Sequence, residues 1–262
     1  MFLTWIGIKL REALARGLKV DIMGVGFDNI NMDEAVRLAV GCTLDGGKHY
    51  IVTPNSEIVY EALRDGELMD TLNSASVVLP DGAGIIAASK ILKTPLREKV
   101  AGVDFAVRAL PALAREGKKL FLFGGKPGVA ERAAGRIREI SPGITVCGFR
   151  DGYFSPEEEA GICERINDLG ADVIYVCLGA PKQEQWISRN RGRLNASLLV
   201  GLGGSIDILA GETKRAPEFF IRLNLEWLHR LIKQPSRLGR MMRLPKFILK
   251  VLLRKGRAGR GI

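Results

Sequence analysis

Short apolar runs alternate along this chain with longer stretches of mixed polarity. Seven runs read as β-strands: Val20–Gly26, His49–Thr53, Ser76–Leu79, Lys119–Phe123, Ile144–Phe149, Asp172–Leu178 and Ser197–Gly201. The runs at 172–178 and 197–201 are nearly free of polar positions, the pattern of strands buried on both faces. Helical signals fall between them. Asn31 and Glu34 form a capping-box pair ahead of Ala35–Ala39. Ser56–Leu63 follows the second run, Pro127 opens Gly128–Ile140, and Ser155 with Pro156 and Glu158 opens a helix ending at Asp168. This βαβα order predicts an α/β fold: a mostly parallel, Rossmann-like sheet with helices on both faces.

The pattern changes after Gly204. Pro217, Pro235 and Pro245 divide the C-terminal part of the chain into the segments Glu218–Lys233, Ser236–Arg243 and Lys246–Lys255, which read as short helices. In the first, Phe220, Leu223, Trp227, Leu228 and Leu231 make a stripe expected to pack on the body. In the last, Phe247, Ile248, Val251 and Leu252 lie on one side, and Lys246, Lys250 and Arg254 on another. That is the form of a helix lying in a membrane interface. The expected organisation is an N-terminal extension (1–18), an α/β catalytic domain (19–212) and a helical basic appendage (213–262).

Charge sharpens the division. Residues 214–262 hold 14 Lys and Arg against two acids, so this segment carries +12 while the whole chain carries +10. A near-neutral body thus bears a cationic appendage that seeks a polyanion, either nucleic acid or an anionic membrane. The interleaved apolar residues favour the membrane. Stacking aromatics are scarce, with only Phe247 beyond Trp227, which disfavours nucleic acid. No apolar run reaches the roughly 18 residues of a spanning helix. The apolar start Met1–Ile8 meets Lys9, Arg11 and Glu12 too early for a signal peptide. Cys42, Cys147, Cys163 and Cys177 form no CxxC pair and read as free thiols. With His49 and His229 as the only histidines, a His-based metal site or Ser-His-Asp triad is not expected.

Candidate chemistry gathers just after the strands, where open α/β sheets bind ligands. Gly24-x-Gly26 lacks the third glycine of a dinucleotide fingerprint, since Asn29 stands there. This weakens an oxidoreductase reading. The Gly124–Gly128 loop is either a tight turn or a phosphate cradle at a helix start. Asp81, between Pro80 and Gly82, is either a helix cap or a general base. Thr53 and Asn55 either position a ligand or begin the next helix. No Asp-x-Asp occurs, so a diphosphate would be held by cations such as Lys99, Lys126 and Arg215 and by helix N-termini.

The motifs Thr53–Asn55, Pro80–Gly82, Val100–Asp104, Gly179–Glu184, Gly203–Asp207, Gly211–Pro217 and Leu225–Leu228 stand in an order and spacing that resembles the TagA/WecG/CpsF family, bacterial glycosyltransferases of cell-surface polymer synthesis. The resemblance runs from about Val20 to Arg243. It implies an α/β enzyme with a C-terminal appendage and no metal or other cofactor. One branch moves N-acetylmannosamine from UDP to the C4 hydroxyl of N-acetylglucosamine on undecaprenyl diphosphate, with inversion to a β1,4 link, in wall teichoic acid synthesis. Other members transfer the uronic acid or glucose. By motif, Asp81 is the base and Thr53 its neighbour. Asn55 and Gln183 contact the sugar diphosphate, and Tyr153 and Asp207 lie near the uridine. Lys99 stands where many relatives have arginine, which loses a bidentate fork. An appendage arginine, Arg215, Arg222 or Arg230, is expected to reach the diphosphate. The implied partners are a UDP-sugar, the lipid-linked acceptor and an anionic membrane met through residues 214–262, with no nucleic acid. A homo-oligomer is compatible with the sequence. The implied location is cytoplasmic, peripheral on the inner face of the cell membrane.

Overall fold

The computed structural model describes residues 19–213, 215–223, 225–233, 239 and 242–258. The expected 1–18 extension and most of the segment 236–243 lie outside the described residues.

The apolar runs form a six-stranded parallel sheet in the order β4-β3-β8-β7-β5-β6. The strands are β3 (His49–Val52), β4 (Val77–Val78), β5 (Lys119–Gly124), β6 (Thr145–Arg150), β7 (Val173–Cys177) and β8 (Leu198–Gly201). The alternation of side chains explains why the central runs lack polar positions. On β7, Val173, Tyr175 and Cys177 enter one buried cluster, while Ile174 and Val176 enter the other. One face is covered by α1 (Met32–Cys42), α5 (Gly102–Arg115), α6 (Val129–Ile140) and α9 (Ser205–Leu209). The opposite face is covered by α2 (Ser56–Ala62), α3 (Gly66–Asn73), α4 (Ala83–Ile91), α7 (Glu159–Asp168) and α8 (Lys182–Asn190).

Several local signals act as the sequence predicts. The Asn31 side chain accepts from Glu34 N at 2.9 Å while the Glu34 carboxylate accepts from Asn31 N at 2.8 Å, which starts α1. A single 3₁₀ turn, Pro156–Glu158, leads into α7. The four cysteines are free.

The first run differs from the predicted single strand. It folds into an antiparallel hairpin, β1 (Lys19–Ile22) and β2 (Val25–Asp28), outside the parallel sheet. Met23 and Gly24 both take positive φ, 57° and 93°, as a two-residue type I′ turn requires. Gly24 is therefore a hairpin corner rather than a ligand-facing strand exit. Asn73 holds it, donating to Gly24 O at 2.8 Å and accepting from Gly26 N at 3.0 Å. The Asp28 carboxylate accepts from Val78 N at 2.7 Å and so ties the hairpin to edge strand β4.

The appendage also departs from prediction. Glu218–Lys233 is two helices, α10 (Glu218–Arg222) and α11 (Glu226–Lys233). Leu223 and Trp227, expected to be dry, are exposed, as are Phe219 and Ile232. The last helix, α12 (Arg243–Ala258), carries Pro245 in its first turn, where proline is tolerated, so Pro245 does not separate two elements. The face of α12 predicted to enter a membrane is mostly turned inward. Phe247 and Val251 are fully buried and join the α2–α4 side of the core, with Ile248 packed beside them. Arg243 reaches Glu57 and Glu61 of α2 at 3.3 and 2.8 Å, and Arg254 reaches Asp21 at 2.6 Å. The apolar positions left exposed on α12 are Leu249, Leu252 and Leu253, with Met242 just before it. None of the helices among the described residues is long and apolar enough to cross a membrane.

Because Phe247 is a core residue, Phe247→Ala should destabilise the whole protein by about 3–5 kcal/mol in urea unfolding. A loss below about 1 kcal/mol would show that α12 is not docked as described.

Candidate active site

Every strand of a parallel sheet points the same way, so the exits after β3, β4, β5, β6, β7 and β8 share one edge. That edge brings together Thr53, Asp81, Lys99 and Gln183 from four separated motifs. Thr53 is buried, and its hydroxyl donates to Gly201 O at 2.9 Å, bridging the adjacent exits of β3 and β8. Asp81 Oδ2 accepts from Gly102 N at 3.1 Å. Gly102 is the first residue of α5, and a Cβ there would stand 3.1 Å from Thr53 Oγ1. Thr53, Asp81 and the N-terminus of α5 therefore meet at one point. Asp81 does act as a helix cap, but of α5, since the N-terminus of the adjoining α4 has no side-chain cap.

Burial pushes the Asp81 carboxyl up from its ordinary 3.8 to about 6. The Gly102 N–H and the Lys99 charge oppose this rise, and the Glu226 charge adds to it. The group is thus neutral below about 6 and ionised above it, a range suited to accepting a proton near neutrality. Lys99 Nζ lies 2.6 Å from Glu226 Oε2 at the start of α11, and neither side chain is more than a third exposed. Lys99 is therefore a half-buried, paired lysine rather than a solvated surface one.

The remaining predicted residues divide. Asn55 caps α2, its side-chain oxygen accepting from Glu57 N at 2.9 Å and Ile58 N at 3.1 Å. Gln183 is buried: its Oε1 accepts from Gly203 N at 2.8 Å and its Nε2 donates to Glu184 Oε1 at 2.7 Å. It fixes the β8 exit loop. Arg215 forms a bidentate pair with Asp104 in the first turn of α5, with a second contact at 2.6 Å. Asp207, in the first turn of α9, lies near Cys177, whose thiol is pushed up to about 12 chiefly by burial. Tyr153 follows β6, stands 62% exposed and makes no side-chain hydrogen bond among the described residues. Four strand spacings, roughly 19 Å, separate β3 from β6, so Tyr153 belongs to the far end of the edge. The two ends are linked through Gly124 and Gly125: Gly152 N donates to Gly125 O at 2.9 Å, and a Cβ on Gly124 would lie 2.2 Å from Cys177 O, so only glycine fits. Lys126 is exposed at the Gly124–Gly128 loop. The side chains of Arg222 and Arg230 lie outside the described residues.

Three polar residues escaped the sequence reading. Asp104 and Glu226 pair with two of the three cations named for a diphosphate, Arg215 and Lys99. Glu184 is 1% exposed, its second oxygen lacks a partner among the described residues, and burial raises its pKa. All three lie inside recognised motifs, but their roles depend on contacts between distant parts of the chain. Among the described residues no three His, Cys, Asp or Glu gather as a metal-ion ligand set.

A single edge thus carries a half-buried, desolvated carboxylate, paired cations and glycine-lined exits. The model of the "Glycosyl transferase WecG/TagA/CpsF family" matches residues 20–261, and the chain belongs to that family. It is a glycosyltransferase. A Bacillus spizizenii protein is 37% identical over 203 residues, 78% of each chain. A Bacillus subtilis protein is 36% identical over 213 residues, 78% of this chain and 82% of the relative. A Staphylococcus aureus (strain MW2) protein is 34% identical over 242 residues, 92% of this chain and 94% of the relative. All three are named N-acetylglucosaminyldiphosphoundecaprenol N-acetyl-beta-D-mannosaminyltransferase.

A carboxyl ¹³C NMR titration should place the Asp81 midpoint near 6 rather than 3.8. Lys99→Gln should raise it further, because a favourable positive charge is removed. A wild-type midpoint at or below about 4, the usual range for aspartate, would contradict the buried environment described.

Proposed function

We propose that this chain transfers N-acetylmannosamine from UDP to the C4 hydroxyl of N-acetylglucosamine on undecaprenyl diphosphate, making the β1,4-linked disaccharide that begins the wall teichoic acid linkage unit. The relatives' names support the acceptor and the sugar. The observation that carries the chemistry is Asp81, held at the N-terminus of α5, beside Thr53 and within the field of Lys99, with its pKa near neutrality.

The mechanism is a single displacement. Asp81 takes the proton from the acceptor hydroxyl as that oxygen bonds to C1 of the donor sugar. The C1–O bond to UDP breaks on the opposite face, which inverts the anomeric centre. UDP leaves without needing a proton, so one carboxylate suffices where a glycosidase uses two. Lys99 and Arg215 stabilise the charge gathering on the diphosphate. Asn55 and Gln183 orient the sugar diphosphate, while Tyr153 and Asp207 hold the nucleoside end. Asp81→Asn should keep its melting temperature and lose about 10²–10⁴-fold in kcat. Near-normal kcat would remove Asp81 from the role of base. A donor panel of the UDP-linked N-acetylmannosamine, its uronic acid and glucose, run on a short-chain lipid diphosphate and read by product mass, tests the sugar.

The acceptor is a lipid, and the appendage is the surface proposed to meet the membrane at its cytoplasmic face. The outward side of α12 fits this better than the face read from sequence. Met242, Leu249, Leu252 and Leu253 are exposed, and by helical spacing Lys246 and Lys255 flank them. Each basic residue near an anionic leaflet adds about 1 kcal/mol. Leu249→Glu with Leu253→Glu should abolish co-sedimentation with phosphatidylglycerol vesicles at about 150 mM salt without lowering stability. Undiminished sedimentation would move the contact elsewhere.

A further inference from the structure

Both cations assigned to the donor's diphosphate are occupied by carboxylates of the protein itself. The pairing is reciprocal. The appendage gives Arg215 to Asp104 of the body, and the body gives Lys99 to Glu226 of the appendage. These two contacts bracket α10 in the chain. Residues 214–262 contain only two acids, Glu218 and Glu226, and one of them sits on the lysine beside Asp81.

We propose that Glu226 is an internal stand-in for the donor's diphosphate: it holds Lys99 until the donor displaces it, and its release loosens the α10–α11 segment from the site. This inference rests on Lys99 being a diphosphate-binding cation. A carboxylate and a phosphoryl group are both anionic oxygen acceptors, so they compete for one ammonium at hydrogen-bond distance. The diphosphate carries more charge and wins when present. The pair is also partly open to solvent, with side chains 18% and 32% exposed, so it can be exchanged. The segment it restrains carries exposed Phe219, Leu223, Trp227 and Ile232. A surface that draws these residues away would free Lys99, and by reciprocity donor binding would favour that surface contact.

Calorimetric titration of the full chain with UDP tests the idea. Glu226→Gln should tighten UDP binding by about fivefold or more, and Glu226→Ala should do the same. The charge-matched control Glu164→Gln, exposed on α7, should leave affinity unchanged. Lys99→Gln should weaken UDP binding and erase the gain from Glu226→Gln in the double variant. Phosphatidylglycerol vesicles should tighten UDP binding to the wild type but not to Glu226→Gln. If Lys99→Gln weakens UDP binding while Glu226→Gln leaves it unchanged or weaker, the stand-in is overturned and the diphosphate role of Lys99 survives. If Lys99→Gln has no effect, both fall. Equal tightening of wild type and Glu226→Gln by vesicles would overturn the coupling to the surface contact.

Discussion

Six parallel strands, all but edge strand β6 largely buried on both faces, impose one constraint from which the site follows: each crossover must leave from the same edge of the sheet. Residues far apart in the chain therefore become neighbours without any dedicated element to collect them. Thr53 and Gly201 illustrate this. Their strands pair side by side, so a threonine hydroxyl reaches a carbonyl 148 positions away and locks two exits together. Asp81 gains its setting in the same way, because the loop after β4 passes the N-terminus of α5. The helix end favours the carboxylate while burial favours the acid, and burial prevails enough to bring the group near neutrality.

The charges at this edge are largely paired rather than free. Lys99 and Arg215 already have anionic partners, as do Arg243 and Arg254 on the last helix. The large positive sum of the appendage therefore overstates the charge it offers outward. Part of that charge fastens the appendage to acids of the body, and the remainder is presented to the surroundings. On the stand-in proposal, an anionic substrate enters such a site by replacing a carboxylate, so that the empty protein keeps its cations paired.

Much of this was legible in the sequence because the signals were local. Continuous apolar runs located the strands of the sheet to within a residue or two, and the Asn31–Glu34 box located a helix start. The exits at Thr53, Asp81 and Gln183 carried recognisable motifs. What escaped depended on distance or on rare conformations. A methionine at positive φ split the first run into a hairpin, which no propensity suggests. The partner of Lys99 lies 127 positions away. On α12, apolar residues occur on two sides, and periodicity cannot tell whether Phe247 and Val251 or Leu249 and Leu253 meet the protein. Only the position of α2 and α4 decides that.

The burial of Phe247 and Val251 also changes what kind of object the basic segment is. With α9 on one side in the chain and α12 on the other both seated in the core, α10 and α11 lie between two fixed points rather than on a dangling arm. A segment held on both sides cannot diffuse away from the groups it pairs with. Its groups keep a high effective concentration there however often individual contacts break. On the stand-in proposal Glu226 thus returns to Lys99 within one tethered volume, and the cost of each return is set by the length of the segment rather than by how dilute the protein is.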